Sequence, residues 1–315
     1  MYLGIDLGGT HIAAGLVNEE GKLLKKVSCS NLINKTYKEY VKNMADLCKK
    51  ILDEEGMAIS QIKSVGIGIP GTPNNTMGTV TCNSSIKLDD APIREEFQKY
   101  YNIEVNVEND ANCAALAEAV AGAAKDVDHS VTITLGTGIG VGIVINKKVY
   151  SGFNYAGAEA GHIVIVTDGE KCPCGRSGCW EAYSSAPALI REAKKLLQSN
   201  ENKDSLILKM ANGDLSRIDG RIIFEASKQG DKIAKEVIDK YAKYLSEGVA
   251  NIINVLMPEV FVIGGGISRQ GDYLLDMIRS RVYEKIYTKS EPKTVIKVAE
   301  LGVDAGLIGA AMLGK

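Results

Sequence analysis

The sequence predicts an α/β protein in which one structural pattern occurs twice. Apolar segments of strand length alternate with longer segments of helical periodicity, as in α/β folds. A pattern of strand, Gly/Thr loop, strand, turn and strand begins near Leu3 and again near Val131, so that Leu7-Gly8 corresponds to Leu135-Gly136. This repetition favours a duplicated architecture, and chance similarity between two glycine-rich hairpins is the alternative.

The first copy of the pattern opens the chain. Gly8-Gly9-Thr10 forms one predicted turn and Glu19-Glu20-Gly21 a polar second turn. The strands predicted in this part are Leu3–Leu7, Ile12–Val17, Leu23–Ser28, Val65–Ile69 and Ile103–Val107. One helix is predicted behind a Thr36 cap, because apolar residues recur at helical spacing from Tyr40 to Leu52. An alanine-rich helix over Ala111–Ala121 follows the last strand.

The second copy follows the alanine-rich helix, and a domain boundary is expected near Gly122–Asp128. Its predicted strands are Val131–Leu135, Val141–Ile145 and Val149-Tyr150. Further along, Ser185 and Pro187 open a predicted helix, and a long amphipathic helix ends before Pro258. The remaining predicted elements are that long helix over Ile233–Met257, a strand over Glu259–Ile263 and a closing helix over Asp304–Leu313.

Length, charge and the amino-terminal sequence argue against several classes of protein. A chain of 315 residues can bury a large core without disulfide staples. With 37 Lys and Arg against 39 Asp and Glu, the net charge of −2 gives no bulk basic field for non-specific binding to nucleic acid. The sequence shows no recognisable signal peptide or membrane span. We therefore expect a cytoplasmic protein with no nucleic-acid or membrane partner.

Three of the cysteines lie close together and predict a metal site. His162, Cys172, Cys174 and Cys179 form an H-x9-C-x-C-x4-C pattern. Three thiolates and one imidazole make the closed tetrahedral ligand set of a structural Zn²⁺. A redox-active CxC pair is the alternative. The remaining cysteines are expected to be reduced, buried thiols, and they are Cys29, Cys48, Cys82 and Cys113.

Two glycine-rich loops that directly follow strands predict phosphate binding. Backbone N–H groups can approach phosphate where glycine leaves room, and Thr10 and Thr137 would each add a hydroxyl. Neither loop has the ending of a Walker loop or the GxGxxG spacing of a dinucleotide fold. Asp6, just before the first loop, is available to hold a hydrated Mg²⁺.

Asp110 is a candidate general base. It follows a short predicted strand and precedes a helix, so its side chain can project into a cleft. The equal alternative is a helix N-cap, a role that Asn109 or Asp110 could fill.

Five sequence blocks in order point to one family. They are Asp6-Leu7-Gly8-Gly9-Thr10, Gly68-Ile69-Pro70-Gly71, Asn109-Asp110-Ala111-Asn112, Leu135-Gly136-Thr137-Gly138-Ile139-Gly140, and Glu159-Ala160-Gly161-His162 with the cysteine cluster. Together they resemble the ROK family (repressors, open reading frames, kinases) of the actin-like ATPase superfamily over essentially the whole chain. The resemblance implies a two-lobed, ribonuclease-H-like fold with duplicated βββαβα domains and a sugar and ATP in the cleft. The smaller lobe would comprise residues 1–121 and the last helix, about 304–315, and the larger lobe residues 122–303 with the zinc site.

The resemblance also implies the roles of single residues. Asp110 would be the base, and Glu159, His162 and Glu181 would hold sugar hydroxyls, with Asn109 and the Gly71 backbone completing the pocket. His162 would give one ring nitrogen to zinc and present the other to the sugar. Without the resemblance, Glu181 would be taken for a solvated loop charge. The residues predicted to bind ATP and Mg²⁺ are Asp6, Gly8, Gly9, Thr10, Gly136, Thr137, Gly138, Gly264, Gly265 and Gly266.

Two positions depart from the common family pattern on the sugar side. Ser85 stands where many members carry Asn, and Asn83 could substitute from two residues earlier. Leu88 stands where a Trp is common. The identity of the hexose therefore stays open, although the type of reaction does not.

The leading hypothesis is an ATP-dependent hexose kinase acting on the 6-hydroxyl, with glucose as the first choice. A kinase of N-acetylmannosamine, N-acetylglucosamine or allose is the alternative within the family. A catalytically silent sugar-binding protein is disfavoured by Asp6, Thr10, Asp110 and Thr137. A sugar-responsive transcriptional regulator is disfavoured because the first phosphate loop begins at Asp6, which leaves no room for a preceding helix-turn-helix. The family expectation is a homodimer.

Overall fold

The computed structural model describes residues 1–31, 36–82, 86, 88, 90–198, 204–289 and 292–315. Their internal contacts divide the chain into two compact units. Unit 1 comprises Met1–Thr132, Val141–Ala158 and Ala299–Lys315, and unit 2 comprises Ile133–Gly140 and Glu159–Val298. The sequence interpretation placed the segments around Val141–Ala158 in the second lobe, whereas their contacts lie in unit 1.

The first sheet has five strands in the order β3-β2-β1-β4-β7. Its strands are β1 (Tyr2–Leu7), β2 (His11–Val17), β3 (Leu23–Ser30), β4 (Val65–Ile69) and β7 (Val105–Asn109). The first three strands form the predicted antiparallel meander, with Leu7 paired to Ile12 beside the first glycine loop. The other pairs are parallel, and Ile69 pairs with Asn109 at the ends of β4 and β7.

The second sheet repeats the strand order of the first. It contains β8 (Ser130–Leu135), β9 (Ile139–Ile145), β10 (Lys148–Val149), β11 (Val260–Gly264) and β12 (Val295–Val298) in the order β10-β9-β8-β11-β12. The pairing directions also match. β2 and β3 are antiparallel, as are β9 and β10, whereas β4 and β7 are parallel, as are β11 and β12. This equivalence supports the duplication predicted from the two glycine loops. A separate hairpin joins β5 (Thr72–Asn74) and β6 (Thr79–Cys82).

Helices complete both units. They are α1 (Tyr37–Glu55), α2 (Ile93–Gln98), α3 (Asp110–Ala121), α4 (Glu181–Ser184), α5 (Ala186–Leu197), α6 (Leu206–Met210), α7 (Gly220–Lys228), α8 (Lys232–Leu256), α9 (Asp272–Lys285) and α10 (Ala305–Met312). The predicted caps are present. Thr36 forms a capping box with Glu39 at the start of α1, and the Ser185 side chain accepts a hydrogen bond from the Ala188 N–H in α5. The helix α8 ends at Met257 in the left-handed conformation, directly before Pro258.

The structure corrects several predicted strand boundaries. The strand predicted over Ile103–Val107 begins and ends two residues later, because parallel pairing with β4 extends it to Asn109. The second glycine loop is shorter than predicted, since β9 begins at Ile139 instead of Val141. Within the described part of the chain, no helix is long and apolar enough to cross a bilayer.

The last helix belongs to unit 1, where it packs against β1, β4 and α3. Glycines allow this approach. A Cβ atom on Gly309 would lie 1.6 Å from the Cys113 carbonyl oxygen, and one on Gly66 would lie 1.7 Å from that of Ala310. Larger residues at either position would force the backbones apart. The two ends of the sequence therefore share one core.

Candidate active site and metal centre

The first glycine loop joins β1 to β2 and leaves its tip open to solvent. The Gly8 N–H donates to the His11 carbonyl at 2.9 Å, which closes the hairpin. Gly9 and Thr10 are exposed, and a Cβ atom on Gly9 would meet no heavy atom within 4 Å. Asn31 braces the loop, because its side-chain amide donates to the Gly8 carbonyl at 2.7 Å. The loop therefore has the room and the fixed shape that a phosphate group requires.

Asp6 lies in the wall of a cavity of about 280 Å³ beside this loop. Lys26 also lines the cavity and forms an ion pair with Asp304 at 2.5 Å. Burial, followed by the negative charge of Asp110, raises the pKa of Asp6 to about 6, although Lys26 opposes the shift. The strand register explains this interaction, because Gly68 of β4 pairs with Asp6 and with Glu108, and Asp110 follows Glu108 by two residues.

Asn109, not Asp110, caps helix α3. Its side-chain oxygen accepts from the Ala111 N–H at 2.8 Å and from the Asn112 N–H at 3.2 Å. Asp110 is the first residue of the helix, and its Oδ1 accepts from the Ala111 N–H at 2.9 Å. The capping role that the sequence left open therefore falls to Asn109, and the Asp110 carboxyl keeps hydrogen-bonding capacity for a ligand.

The Asp110 side chain is accessible to solvent, yet protein atoms crowd around its carboxyl. This desolvation raises its pKa, and the backbone N–H groups of Ala111 and Asp110 partly oppose the shift. A carboxylate with a raised pKa accepts a proton more readily than an ordinary aspartate, which suits a general base.

Gly71 lies beside the same turn. Its φ of 102° is one that side chains rarely adopt, and its carbonyl accepts from the Asn109 side-chain amide at 3.0 Å. The structure thus brings together Asp6, Gly71, Asn109 and Asp110, all in unit 1. Asn83 and Ser85 lie outside the described residues. Leu88 is buried in the hydrophobic core of unit 1.

The second glycine loop lies in unit 2 and is braced from two sides. The Ala186 N–H donates to the Gly136 carbonyl at 2.8 Å, and the Ile139 N–H donates to Oε2 of Glu181 at 2.9 Å. Thr137 at the tip is exposed. The third glycine run packs against this loop, since a Cβ atom on Gly265 would lie 2.4 Å from the Leu135 carbonyl oxygen. Gly264 ends β11, and Gly266 begins a short 3₁₀ turn.

The four predicted zinc ligands converge in unit 2. Their ligand atoms all lie within 4.8 Å of one another, with the Cys172 sulfur 3.6 Å from Nδ1 of His162 and the sulfurs of Cys174 and Cys179 also 3.6 Å apart. A tetrahedral zinc with Zn–S bonds of about 2.3 Å places its ligands about 3.8 Å apart, so the residues fit the ion. Gly175 and Gly178 turn the chain back with positive φ angles of 92° and 82°.

Of the three predicted sugar ligands of unit 2, His162 belongs to this cluster, and contacts connect each of the other two to one of its members. Glu159 precedes a 3₁₀ turn in which its carbonyl accepts from the His162 N–H at 3.0 Å. Glu181 is the first residue of α4, and its Oε1 lies 3.9 Å from the Cys172 sulfur. The expectation that an isolated Glu181 would be a solvated loop charge is wrong, because its carboxylate contacts both the cysteine cluster and the second glycine loop.

Comparison with known proteins shows which family the chain is related to. The ROK family model matches residues 2–315. Glucokinase from Thermotoga maritima is 36% identical over 317 residues, which cover 99% of this chain and 96% of that protein.

The chain belongs to the ROK family.

Other family members extend this result. The crystal structure of a ROK family glucokinase from Streptomyces griseus in complex with glucose and AMPPNP superposes with a TM-score of 0.82 and 35% sequence identity, over 99% of this chain and 98% of that one. The xylose repressor of Bacillus subtilis is 30% identical, over 99% of this chain and 76% of the repressor. The predicted family and the actin-like ATPase fold class are thereby confirmed.

Sequence reasoning missed two residues of this ROK site. Asn31 braces the first glycine loop, but it lies far from the loop in sequence and carries no motif. Glu108 is buried directly before the Asn109-Asp110 pair and contacts both Asn109 and Asn112. No local pattern marked Glu108, because the predicted strand ended at Val107 and the observed strand Val105–Asn109 begins by alternating apolar and polar residues.

Proposed function

We propose that this protein is an ATP-dependent kinase that transfers the γ-phosphoryl group to the 6-hydroxyl of glucose. Full-length similarity to glucokinases supports the substrate class, and the two glycine loops support the nucleotide. The observation that carries the proposal is the placement of Asp6 and Asp110 at one edge of the first sheet, because Gly68 of β4 pairs with Asp6 on one side and with Glu108 on the other, two residues before Asp110. Phosphoryl transfer requires a base at the acceptor hydroxyl close to a group that organises the phosphates.

Asp110 is the proposed base. The residue is exposed to solvent, burial around its carboxyl raises the pKa, and the first turn of α3 that carries it is fixed by the Asn109 cap. It accepts the proton of the 6-hydroxyl as the oxygen attacks the γ-phosphorus, and the bond to ADP breaks on the opposite side. Asn109 and the Gly71 backbone are proposed to orient the sugar beside it.

The remaining proposed sugar ligands are Glu159, His162 and Glu181. Carboxylates accept several hydroxyl hydrogen bonds, which suits neighbouring equatorial hydroxyls of a hexose. His162 directs Nδ1 to the cysteine cluster, so Nε2 is the nitrogen proposed to meet the sugar. The open tips of the two glycine loops, with Thr10 and Thr137, are proposed to bind the phosphates.

Two metal ions complete the proposal. Asp6 would hold Mg²⁺ through its water shell, and the ion, when bound, would neutralise phosphate charge. His162, Cys172, Cys174 and Cys179 would bind a structural Zn²⁺ that fills all four positions with protein ligands and so leaves none for chemistry. The homodimer and the cytoplasmic location stay predictions.

The decisive experiment is a coupled ADP-release assay with glucose, mannose, N-acetylglucosamine, N-acetylmannosamine, allose and fructose. We expect the highest kcat/KM with glucose. A higher value with an N-acetylhexosamine or allose would retain the kinase and change the substrate.

The xylose repressor similarity supports a second candidate, a sugar-responsive regulator. Sugar binding measured by calorimetry, with no sugar-dependent ADP release from metal-loaded protein, would favour that candidate and overturn the kinase.

A further inference from the structure

A buried carboxylate lies directly behind the proposed base. Glu108 is the fourth residue of β7, and only 3% of its surface is exposed. No ion pair reaches it among the residues that the structure describes, so neutral donors stabilise its charge. Burying a carboxylate without hydrogen-bond donors costs much free energy. The folded state therefore depends on the hydrogen bonds that Glu108 accepts.

The first carboxylate oxygen holds the turn that carries Asn109 and Asp110. Oε1 accepts from the Asn109 backbone N–H at 2.8 Å and from the Asn112 side-chain amide at 3.0 Å. These bonds join the end of β7 to the first turn of α3. The Asn109 side chain acts on the same turn from the other side, since it caps the helix and donates to the Gly71 carbonyl. Asp110 lies between these attachments.

The second carboxylate oxygen reaches a different segment. Oε2 accepts from the Ser151 hydroxyl at 3.0 Å. Ser151 begins the loop that runs to Glu159, and this loop is fixed within itself, because the Gly157 N–H donates to the Ser151 carbonyl at 2.8 Å. The Tyr155 hydroxyl contacts the Thr76 hydroxyl and gives the loop a second attachment to unit 1.

We infer that Glu108 is a positioning residue that fixes the Asn109-Asp110 turn and ties it to the Ser151 end of the loop leading to Glu159. The inference rests on the proposed kinase function. Glu108 touches neither sugar nor nucleotide in this role. It acts through Asp110, because a base displaced by a fraction of an ångström no longer meets the acceptor hydroxyl in line. An amide at this position would aim one NH₂ group at donors that need an acceptor.

The test compares Glu108→Gln with Glu104→Gln, the same substitution at an exposed residue just before β7. We expect Glu108→Gln to lower kcat on the order of 10- to 100-fold while the KM for ATP changes little, and Glu104→Gln to match the wild type. Ser151→Ala removes one of the three bonds and should give a smaller loss, so it tests the inference even if Glu108→Gln fails to fold.

A double-mutant cycle separates positioning from a merely structural role. Because Glu108 acts through Asp110, Glu108→Gln should add little to the loss caused by Asp110→Asn. The acidic limb of the kcat/KM profile should also move in Glu108→Gln, since the surroundings of the base change. The inference would be overturned if the kcat losses of Glu108→Gln and Asp110→Asn multiplied in the double mutant and the acidic limb of the pH profile stayed where it is in the wild type. An inactive wild type would instead refute the kinase function itself.

Discussion

At the scale of single residues, Asp110 carries the chemistry in the proposed reaction. Asp110→Asn keeps the shape of the side chain and one acceptor oxygen, and the Asn109 cap of α3 does not depend on the carboxylate. We expect glucose binding to persist, while kcat falls by about 10²–10⁴-fold because the base is lost. Calorimetry and steady-state kinetics check the two parts. A variant that keeps more than roughly a tenth of wild-type kcat would show that another group accepts the proton.

The raised pKa of Asp6 predicts a conflict between stability and function. Its pKa of about 6 lies above its ordinary value of 3.8, so the folded state binds this proton more tightly than the unfolded state. The protonated form therefore favours folding, and stability declines as pH rises from about 4 to about 6. Above that range the ionised carboxylate opposes folding by about 3 kcal/mol, at 1.36 kcal/mol per pKa unit.

Asp6→Asn should therefore raise the melting temperature of the nucleotide-free protein at pH 7.5 and abolish kinase activity. The gain should shrink to a small fraction near pH 4, where Asp6 is protonated in the folded state and about half protonated in the unfolded state. Thermal unfolding without added Mg²⁺ measures the effect, and Asp126→Asn, at an exposed turn, serves as the matched control. An equal gain at pH 4 and pH 7.5 would contradict the assigned cause.

At the scale of elements, the segment that carries the proposed zinc ligands, from His162 to Cys179, connects the proposed sugar ligands to the second glycine loop. The Cys172 sulfur lies near both His162 and Glu181, and Glu181 also accepts the Ile139 N–H. Burial raises the pKa of the Cys172 thiol to about 12, so a metal that binds here has to displace its proton. Metal binding should therefore become tighter with rising pH.

Cys174→Ser tests this connection at the exposed ligand of the cluster. We expect about one zinc per wild-type chain by elemental analysis, and much less in the variant. The glucose KM should rise more than the ATP KM, because the segment bearing His162 loses its anchor. Cys29→Ser, outside the cluster, should retain metal and activity. Wild-type protein prepared without chelator but devoid of zinc would rule out the site.

Local sequence patterns predicted most helices and strands. The features that they did not predict depend on pairing between residues far apart in the sequence. The caps at Thr36 and Ser185 and the stop at Pro258 act within one helical turn, and the structure has all three. The end of β7 depends on pairing with β4, which no local pattern encodes. The same holds for Glu108 and Asn31, whose roles arise from partners far along the chain.

At the scale of the whole molecule, unit 1 is assembled from three separate stretches of sequence. Glu118, in α3, is fully buried and accepts from the backbone N–H groups of Ala123, Glu300 and Leu301. These bonds bring the carboxyl-terminal segment onto α3 just before α10 begins. Because β1 and α10 share a core at opposite ends of the sequence, unit 1 is complete only when its last residues are in place. Contacts of such high sequence separation favour slow folding.

The packing of α10 against α3 predicts that Gly309→Ala destabilises the protein, although local helix propensity predicts the opposite. Alanine is favoured over glycine in a helix interior by about 1 kcal/mol, so propensity alone predicts that Gly309→Ala stabilises α10. The added Cβ atom would lie 1.6 Å from the Cys113 carbonyl oxygen, however, and it could be accommodated only if α10 moved away from α3. Overpacking of this kind typically costs about 1–3 kcal/mol, occasionally more.

The matched control is Gly220→Ala in α7, whose Cβ atom would meet only Leu189, at an ordinary 3.7 Å. We expect Gly309→Ala to lower the melting temperature and to increase proteolysis of the carboxyl-terminal segment, and Gly220→Ala to leave both unchanged or to stabilise slightly. If both variants gained stability alike, the close approach of α10 to α3 would not be part of the native fold.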